Sequence, residues 1–479
     1  MRAPISAVSV AGVAILAAPS SARQPLEPES GILFGPWIDS TPLSPSGVVP
    51  QQLKDYPVAF NKRFGHNASF FQFTTDFPTD ATENQKKLQL IEDTGTTAFL
   101  YLTVYPSKNN LTSSNDYSVF DQFTPEKIAF FATRMHNIIN SGFVSGLMIR
   151  LAPEMNGNWN PWGQRPLHYV ETWRSVRDWM LLGAVQMGNF PDWIYTAVMN
   201  VTGAAEKVAF LWAPNIAAPG NESYPWGGLG MAPFTSSTKN RTFAINTTEF
   251  DALDTNGDHV FDFLDSHYSP YFPGKDFVHW VGASQYWGDH GADSSHPPSN
   301  QLPNASYFAF QFGDGNDWSL YQNYSVGYSL PYMISETNAN FYQYVVNSSA
   351  FIPEGPGPLA IKQDWWRQYI TNTTFLESHS MIKGICLFEF QKGEGGDPQT
   401  FRDFMVTNDT SPNGTLAEFK ADFEAPDVIS LYSFANHSAP SKSHASPATT
   451  GDGPSNTTTS TAGSAAAATT SAKSEGFPL

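Results

Sequence analysis

The sequence predicts an α/β fold, a (β/α)8 TIM barrel followed by a disordered Ser/Thr-rich C-terminal tail. Two observations carry this prediction. Strand-length apolar segments alternate with helix-like segments, and polar side chains stand at the C-terminal ends of the apolar ones. Near-continuous apolar strands separated by helices are typical of a buried parallel sheet. Eight such segments over roughly 400 residues favour a closed barrel over an open, doubly wound sheet.

The apolar segments begin after a Pro-rich stretch. The predicted strands are Gly31–Ile38, Ser69–Phe77, Thr97–Tyr105, Gly146–Met155, Val208–Asn215, Val278–Tyr286, Pro331–Thr337 and Ile382–Phe390. The clearest helical patterns between them are Pro125–Ser141, His168–Leu182 and Ile361–Glu377. The residues that punctuate strand ends are Glu154, Asn215, Tyr286, Glu336 and Glu389. Because the active sites of such barrels lie at the C-terminal ends of the strands, we expect a functional site there.

The two ends of the chain are predicted to lie outside the barrel, which we expect over residues 23–430. Arg2, the apolar stretch Ile5–Ala18 and the small residues up to Ala22 predict a secretory signal peptide over residues 1–22. Residues 431–479 are predicted to be a tail, since the composition turns to Ser, Thr, Ala, Pro and Gly by Ser438. Such a composition cannot bury enough apolar surface to order itself.

Composition and charge limit the classes of partner that the protein can bind and the cellular compartment in which it is expected. The net charge of −18 argues against nucleic acid and anionic membranes, because both require basic patches. The single cysteine, Cys386, excludes an internal disulfide and is expected to be a buried core residue. Asn-X-Ser/Thr acceptors recur along the chain and, with the signal peptide, predict a secreted glycoprotein. We expect a monomer that needs no cofactor.

Two glutamates give the strongest indication of function. Glu154 ends the fourth predicted strand and Glu336 ends the seventh, so they would face each other across the barrel mouth. Paired carboxylates beside aromatic rings are what cleavage of a glycosidic bond requires. Arg150 lies four residues before Glu154 and would point to the same side of an extended strand. The alternative is that both glutamates are structural ion-pair partners of arginines.

Four segments, in order, carry a family resemblance. They are Arg150-Leu-Ala-Pro-Glu154-Met-Asn-Gly-Asn-Trp159-Asn-Pro-Trp162-Gly, Leu211-Trp212-Ala-Pro-Asn215, Tyr271-Phe-Pro-Gly-Lys-Asp-Phe-Val-His-Trp-Val-Gly282 and Ile334-Ser-Glu336-Thr. From about Gly31 to Phe423 the chain resembles glycoside hydrolase family 26, best known for β-mannanases, and in particular a divergent, secreted fungal subgroup.

The resemblance implies a retaining enzyme that acts on a polysaccharide, with mannan endo-1,4-beta-mannosidase activity as the favoured type. It implies Glu154 as acid/base, Glu336 as nucleophile and Tyr286 as a hydrogen-bond donor to the nucleophile. Two positions depart from the family pattern: Pro153 stands where histidine is usual, and Asn338 where glycine is more frequent. Proline has no side-chain donor, and loss of one donor at a reacting centre costs roughly 2.7–4 kcal/mol of barrier.

Because Pro153 replaces the usual histidine, a second hypothesis remains. The protein would then be a carbohydrate-binding protein of the same fold with weakened catalysis. An open cleft with the carboxylates about 5–5.5 Å apart would favour the enzyme. A filled cleft, or a glutamate held in a salt bridge, would favour the binding protein. The sequence contains no P-loop, no His-Glu-x-x-His and no Gly-x-Ser-x-Gly, so nucleotide, zinc-protease and esterase chemistry have no support.

Several residues near the two glutamates are candidate substrate contacts. Tryptophan faces offer apolar area to pyranose rings, although core packing is the alternative for each. The tryptophans that follow strand ends are favoured as platforms, and Trp226 is a further candidate. The full candidate set is Arg150, Asn156, Trp159, Trp162, Trp212, Asn215, Tyr286 and Trp287.

One acidic segment resembles a calcium loop, with candidate ligands at Asp254, Asn256, Asp258 and Asp265. His259 occupies the sixth position, where the sharp turn of such a loop requires glycine. A solvated acidic turn is the alternative. If calcium binds, we expect it to brace the loop without taking part in chemistry.

Overall fold

Eight parallel strands close into a barrel. They are β1 (Ile32–Ile38), β2 (Phe70–Phe77), β3 (Phe99–Pro106), β4 (Leu147–Leu151), β5 (Val208–Trp212), β6 (Trp280–Trp287), β7 (Tyr332–Ala339) and β9 (Ile382–Glu389). Each pairs with the next in parallel, and β9 pairs with β1. This pairing closes the sheet and confirms the predicted (β/α)8 fold. The computed structural model describes residues 23–43, 52–77, 81–106, 118–157, 159–182, 204–217, 235–236, 241–242, 248–259, 261–288, 298–394, 399–407 and 414–437.

Helices connect the strands. They are α1 (Pro57–Phe64), α2 (Ala81–Glu92), α3 (Ser118–Asp121), α4 (Pro125–Ser141), α5 (Pro166–Leu182), α6 (Ala204–Lys207), α7 (Thr248–Leu253), α8 (Tyr307–Phe312), α9 (Pro358–Tyr369), α10 (Thr373–Ser378), α11 (Thr415–Phe423) and α12 (Pro426–Ile429). Shorter turns lie at Ser269–Tyr271, Lys275–Phe277 and Tyr321–Val326. In the described part of the chain, no helix is long and apolar enough to cross a membrane.

Capping residues set the helix ends. The bounds of α4 agree with the predicted Pro125–Ser141, because the Thr124 side chain accepts a hydrogen bond from the Lys127 amide and Gly142 ends the helix in the left-handed region. The predicted helix Ile361–Glu377 is instead divided into α9 and α10. Asn372 lies at the break, and its side chain accepts from the Phe375 amide at 3.0 Å, which starts a new helix.

Strand β4 is shorter than predicted and ends at Leu151 instead of Met155. Ala152 and Glu154 have φ angles of 44° and 53° on either side of Pro153. These left-handed conformations cannot continue a strand, and proline cannot donate to the ladder. The chain therefore leaves the sheet just before Glu154.

The barrel interior is a packed core. Buried side chains from alternate strand positions fill it, namely Leu33, Phe70, Phe99, Tyr101, Met148, Ala209, Leu211, Ala213, Trp280, Met333 and Cys386. Glycines make room for the larger neighbours: a Cβ at Gly384 would lie 2.3 Å from the Met333 sulfur. The Cys386 thiol, buried as predicted, donates to Gln72 Oε1 at 3.1 Å. Interiors of this kind support the site without forming a pore.

A small antiparallel sheet stands at the C-terminal face of the barrel. Strand β8 (Phe341–Val345) directly follows β7, and β10 (Gln391–Glu394) directly follows β9. Strand β11 (Thr400–Asp403) pairs with both. Glu389 anchors the chain after β11, because its carboxylate accepts from the Val406 and Thr407 amides and the Thr407 hydroxyl. Glu389 therefore has a structural role at its strand end.

The chain returns to the barrel after α12. Strand β12 (Tyr432–Ser433) pairs with the start of β1, and the Thr97 amide donates to the Asn436 carbonyl. Residues 431–437, which the sequence assigns to the tail, therefore pack against the barrel. The predicted signal peptide and residues 438–479 lie outside the described residues.

Candidate active site

The ends of several barrel strands meet at one pocket of about 40 Å³. Glu154 and Glu336 both line it, so the structure brings together the two carboxylates that the sequence singles out. The remaining lining residues are Trp37, Tyr105, Pro153, Asn160, Tyr286, Phe388, Lys392 and Glu394.

Glu336 is buried near the end of β7 and is held by two donors. Arg150 Nη1 donates to Oε1 in an ion pair, and the Tyr286 hydroxyl donates to Oε2 at 2.9 Å. Arg150 is oriented by a second bond from Nη2 to the Ser284 hydroxyl at 2.7 Å. The Tyr286 contact is the one that the family resemblance implies. The side chains of Arg150, Ser284, Tyr286 and Glu336 all project from the inner face of the barrel.

Burial and the neighbouring Arg150 shift the pKa of Glu336 in opposite directions. Burial raises the pKa of its carboxyl, Arg150 lowers it and the neighbouring Glu154 raises it again, so the pKa lies above its ordinary value. Burial alone would lower the pKa of Arg150, but Glu336 raises it, so the guanidinium stays charged. Burial and then Glu336 raise the pKa of Tyr286, which keeps its hydroxyl protonated as a donor.

Glu154 is half-buried and is held by neutral donors. Trp159 Nε1 donates to Oε2 and Asn215 Nδ2 donates to Oε1, both at 2.9 Å. Among the ion pairs of the described residues, none involves Glu154. The structural alternative, in which the glutamates are partners of arginines, therefore applies to Glu336 but not to Glu154. Two carboxyl groups in such different surroundings are suited to different chemical roles.

The segment that carries Glu154 has a strained backbone. Gln164 adds a third left-handed φ, 54°, to those of Ala152 and Glu154. Non-glycine residues in this region cost about 1–3 kcal/mol each and are concentrated at functional sites. The Pro153 carbonyl stabilises the turn by accepting from Trp162 Nε1 at 2.8 Å and Asn160 Nδ2 at 3.2 Å.

The predicted contacts Asn156 and Trp162 support this segment and do not face the pocket. Asn156 is fully buried and exchanges two hydrogen bonds with the Asn215 backbone, at 2.8 and 2.9 Å. It therefore positions Asn215 against Glu154. Trp162 is 2% exposed and stacks on Tyr105 with ring centroids 5.6 Å apart. It has no free face for a sugar.

Trp212 and Trp287, also predicted contacts, lie elsewhere. Trp212 is fully buried between Phe272 and Tyr324, so core packing accounts for it. Trp287 follows Tyr286 on β6 and points to the opposite side of the strand, where it packs against Tyr307 and Trp365 in the helical layer. Trp226 lies outside the described residues.

Some lining residues were not found from the sequence. Trp37 lies near the end of β1 and contacts Phe388 and Phe390 edge-on, with centroids 5.1 and 5.2 Å away. Its position near a strand end is a signal that could have identified it. Lys392 and Glu394 lie on β10, outside the barrel pattern, and no spacing in the sequence indicates them.

Asn338, which departs from the family pattern, joins two strands above the barrel. Its Nδ2 donates to the Phe388 carbonyl at 2.8 Å and lies 3.4 Å from Glu389 Oε1. A glycine could form neither contact. Asn338, in place of glycine, therefore adds contacts between β7 and the end of β9, and the two carboxylates of the pocket are retained.

The predicted calcium loop uses its carboxylates internally. Asp254 accepts from the amides of Gly257, Asp258 and His259. Asp265 accepts from the amides of Thr255, Asn256 and Asp262. Asn256 Nδ2 donates to Asp258 at 3.0 Å. Within the described ranges, no group of acidic, His or Cys side chains could hold a metal ion. The carboxylates of Asp254 and Asp265 therefore stabilise the turns of their own loop.

A second cavity of about 690 Å³ lies beside the first. Trp37 lines both, and Phe390 lines the second. The cavity extends between the segment after β1 and helix α2, with Asp39, Thr41, Lys86 and Leu90 among its walls. Its volume lies in the range of about 300–1,000 Å³ typical of small-molecule sites.

No protein-family model and no curated protein matches the sequence. Among solved structures, the chain is similar to GH26C from Muricauda sp., with 9% identity over 83% of this chain and 86% of that one and a TM-score of 0.46. It is similar to the catalytic domain of the Bacillus sp. JAMB-750 GH26 endo-beta-1,4-mannanase, at 13% identity, 84% and 87% coverage and a TM-score of 0.45. A modular endo-beta-1,4-mannanase from Cellulomonas fimi is similar at 12% identity, 86% and 75% coverage and a TM-score of 0.45. The barrel assignment rests on the closed parallel pairing of the eight strands.

Proposed function

We propose that the protein is a retaining glycoside hydrolase that cleaves β-glycosidic bonds of a polysaccharide. One observation supports this most: Glu336, held by Arg150 and Tyr286, and Glu154, held only by neutral donors, line the same pocket. A retaining mechanism needs one carboxylate that attacks and one that exchanges a proton. The environments of the two groups match these roles.

In the first step, Glu336 attacks the anomeric carbon while Glu154 gives its proton to the leaving oxygen. The glycosidic bond breaks and an ester bond to Glu336 forms. In the second step, Glu154 takes a proton from water, the water oxygen attacks the same carbon and the ester bond breaks. Arg150 favours the ionised form of Glu336 against the effect of burial. We expect the carboxylates to lie about 5–5.5 Å apart when substrate is bound.

The sequence motifs favour a mannan-type polymer as substrate. The predicted signal peptide and glycosylation acceptors favour action outside the cell as a secreted glycoprotein. A polymer also needs space beyond the reacting unit, and the cavity that shares Trp37 with the catalytic pocket could hold adjoining sugars. We expect the enzyme to act as a monomer.

The test is product release from a panel of β-mannans, β-1,3-xylan and mixed-linkage β-glucan. We expect activity on one polymer that disappears in Glu336→Ala. A 2-deoxy-2-fluoro glycoside of the matching sugar should then form an ester with the wild-type protein, and peptide mass spectrometry should locate it on Glu336. An ester on another residue would overturn the assignment of the nucleophile.

The second candidate is a carbohydrate-binding protein with weakened catalysis. Two observations favour it: the pocket between the carboxylates is only about 40 Å³, and Glu336 is engaged in an ion pair. Pro153 also supplies no donor beside Glu154. Binding of one polymer, without hydrolysis by wild-type protein and without the covalent ester, would establish this function over the first.

A further inference from the structure

A third carboxylate lines the catalytic pocket, and one of its two oxygens accepts no hydrogen bond from the described residues. Glu394, on β10, is 3% exposed and lines the pocket together with Glu154 and Glu336. Its Oε1 lies 3.0 Å from Lys392 Nζ, whereas Oε2 has Arg402 Nη1 at 3.7 Å. In the described part of the chain, Oε2 accepts no hydrogen bond. A buried acceptor without a hydrogen bond is destabilising, so a ligand donor would be favoured there.

Lys392 places a donor beside this acceptor. It lies two residues before Glu394 on the same strand, so both side chains project from one face of the small sheet. Its Nζ lies 4.8 Å from the centroid of the Phe388 ring, which also lines the pocket. The sheet therefore presents a charged donor and a charged acceptor, next to an aromatic surface, to the pocket that Glu154 and Glu336 also line.

The chemistry of this pair defines the group that it can bind. A hydroxyl can donate to Glu394 and accept from Lys392 at the same time. An anionic group would meet three carboxylates against one lysine among the lining residues. The pocket volume of about 40 Å³ lies far below the about 300–1,000 Å³ that is typical of sites for whole small molecules. The pocket is therefore too small for a whole sugar and suits one small polar group such as a hydroxyl, with the rest of the sugar outside it.

We propose that Glu394 and Lys392 bind one free hydroxyl group of the sugar whose anomeric carbon meets Glu336. This inference rests on the proposed glycosidase function and narrows its substrate class to polymers in which that hydroxyl is unsubstituted at the cleaved unit. The contrasting role is structural, in which Glu394 only joins Lys392 to Arg402 and braces β10 against β11. A structural brace would affect every substrate alike.

The experiment removes the hydroxyl and the carboxylate separately. The probes are 2,4-dinitrophenyl β-glycosides of mannose, glucose, galactose and xylose, followed by the monodeoxy forms of the sugar hydrolysed fastest. This leaving group needs no proton, so the rates report on sugar recognition. The proteins are wild type, Glu394→Gln, Lys392→Met and the control Glu424→Gln, which alters another ion-paired glutamate, in the region after α11.

We expect wild-type kcat/KM to fall about 10- to 100-fold at one deoxy position, as for a hydrogen bond to a charged group. Glu394→Gln and Lys392→Met should both lose most of this discrimination at the same position, while Glu424→Gln keeps it. Intrinsic reactivity cancels, because each variant is compared with wild type on the same compound. If Glu394→Gln does not fold, Lys392→Met, which keeps the contact between Glu394 and Arg402, carries the test.

Two failures can be told apart. If the variants lower kcat/KM by one common factor for every compound, the binding role of Glu394 and Lys392 is overturned and the glycosidase assignment stands. If wild type hydrolyses none of the four glycosides and no polymer of the panel, and forms no ester with the 2-fluoro analogues, the proposed function fails, and the inference falls with it.

Discussion

Glu336 is subject to opposing influences on its pKa. Burial and Glu154 favour the neutral acid, whereas Arg150 and the Tyr286 hydroxyl favour the carboxylate. The result is a pKa above the ordinary value for glutamate. A nucleophile must be ionised, so under the proposed mechanism we expect activity to fall as the pH falls through this pKa. A change that raises the pKa therefore moves the acid limb of the pH profile to higher pH.

The first prediction concerns variants that raise the pKa of Glu336. Tyr286→Phe removes a donor that lowers the pKa of Glu336, so the acid limb of kcat/KM should move to higher pH. Arg150→Gln removes a group that lowers the pKa of Glu336 more than Tyr286 does, so it should move the acid limb further. Each pH unit of this movement corresponds to about 1.36 kcal/mol. Arg150→Gln also leaves a buried carboxylate unpaired and should lower Tm, which makes Tyr286→Phe the cleaner variant. The measurement is kcat/KM from pH 3 to 8, and an unshifted acid limb in both variants would contradict the assignment.

The second prediction concerns the donor to Glu154. Trp159→Phe keeps the ring but removes the N–H that donates to Oε2. We expect kcat/KM to fall by about tenfold on a substrate with a poor leaving group, since a hydrogen bond to a charged group is lost. A 2,4-dinitrophenyl glycoside, which needs no proton, should be affected much less.

The matched control for Trp159→Phe is Trp287→Phe. It removes an indole donor to the Gln301 carbonyl, away from the pocket, and should leave both substrates near wild type. If Trp159→Phe lowers kcat/KM by the same factor on both substrates, the indole N–H has a role other than assisting proton transfer by Glu154.

At the scale of elements, the turn after β4 is built so that Trp159 can reach Glu154. A Cβ at Gly157 would lie 2.4 Å from the Trp159 ring, and one at Gly163 would lie 1.9 Å from the Gly157 carbonyl oxygen. Both glycines are therefore needed for close approach. The packing of this turn therefore holds the Trp159 ring close to Glu154.

The third prediction tests this packing. Gly157→Ala should displace the Trp159 ring and reproduce the effect of Trp159→Phe: about a tenfold loss with a poor leaving group and a small one with dinitrophenol. Gly393→Ala is the control, because its Cβ would meet only ordinary contacts at 3.6 Å. Steady-state rates on both substrates and Tm values check the prediction. A Gly157→Ala protein with wild-type rates would show that the ring has another position available.

Elements defined by periodicity were predictable from the sequence, and elements defined by single residues were less so. The eight strands and α4 follow from apolar spacing. The break at Asn372 depends on one side chain that caps a new helix, and the end of β4 depends on left-handed backbone at Ala152 and Glu154. Neither produces a change in periodicity.

The same distinction holds within the site. Glu154, Glu336 and Tyr286 were predictable, because each lies near the end of an apolar strand and matches a family motif. Lys392 and Glu394 reach the pocket from a sheet that leaves the barrel, so their position depends on how β10 pairs with β11. The orientation of tryptophans was also not predictable, since Trp287 turns outward only because its neighbour Tyr286 faces inward.

At the scale of the molecule, the top of the barrel joins a narrow pocket to a wide cavity. The aromatic group of Trp37, Phe388 and Phe390 lies between them, with Trp37 in the wall of both. The narrow pocket holds the carboxylates, and the wide cavity has room for further sugars. A polymer bound across Trp37 would therefore gain affinity from units that do not react.

The last prediction uses this arrangement. On oligosaccharides of the preferred sugar, wild-type kcat/KM should rise with chain length until the cavity of about 690 Å³ is filled. Lys86→Trp places a bulky ring in its wall, so it should remove most of this rise while the shortest substrate is hydrolysed as before. Lys62→Trp, another exposed helical lysine but one that does not line the cavity, is the control and should keep the rise. Because remote binding energy can lower the barrier for the reacting unit, the gain should appear in kcat as well as in KM. If the rise with chain length is the same in Lys86→Trp as in wild type, the polymer leaves the catalytic pocket by another route and the cavity has no part in binding it.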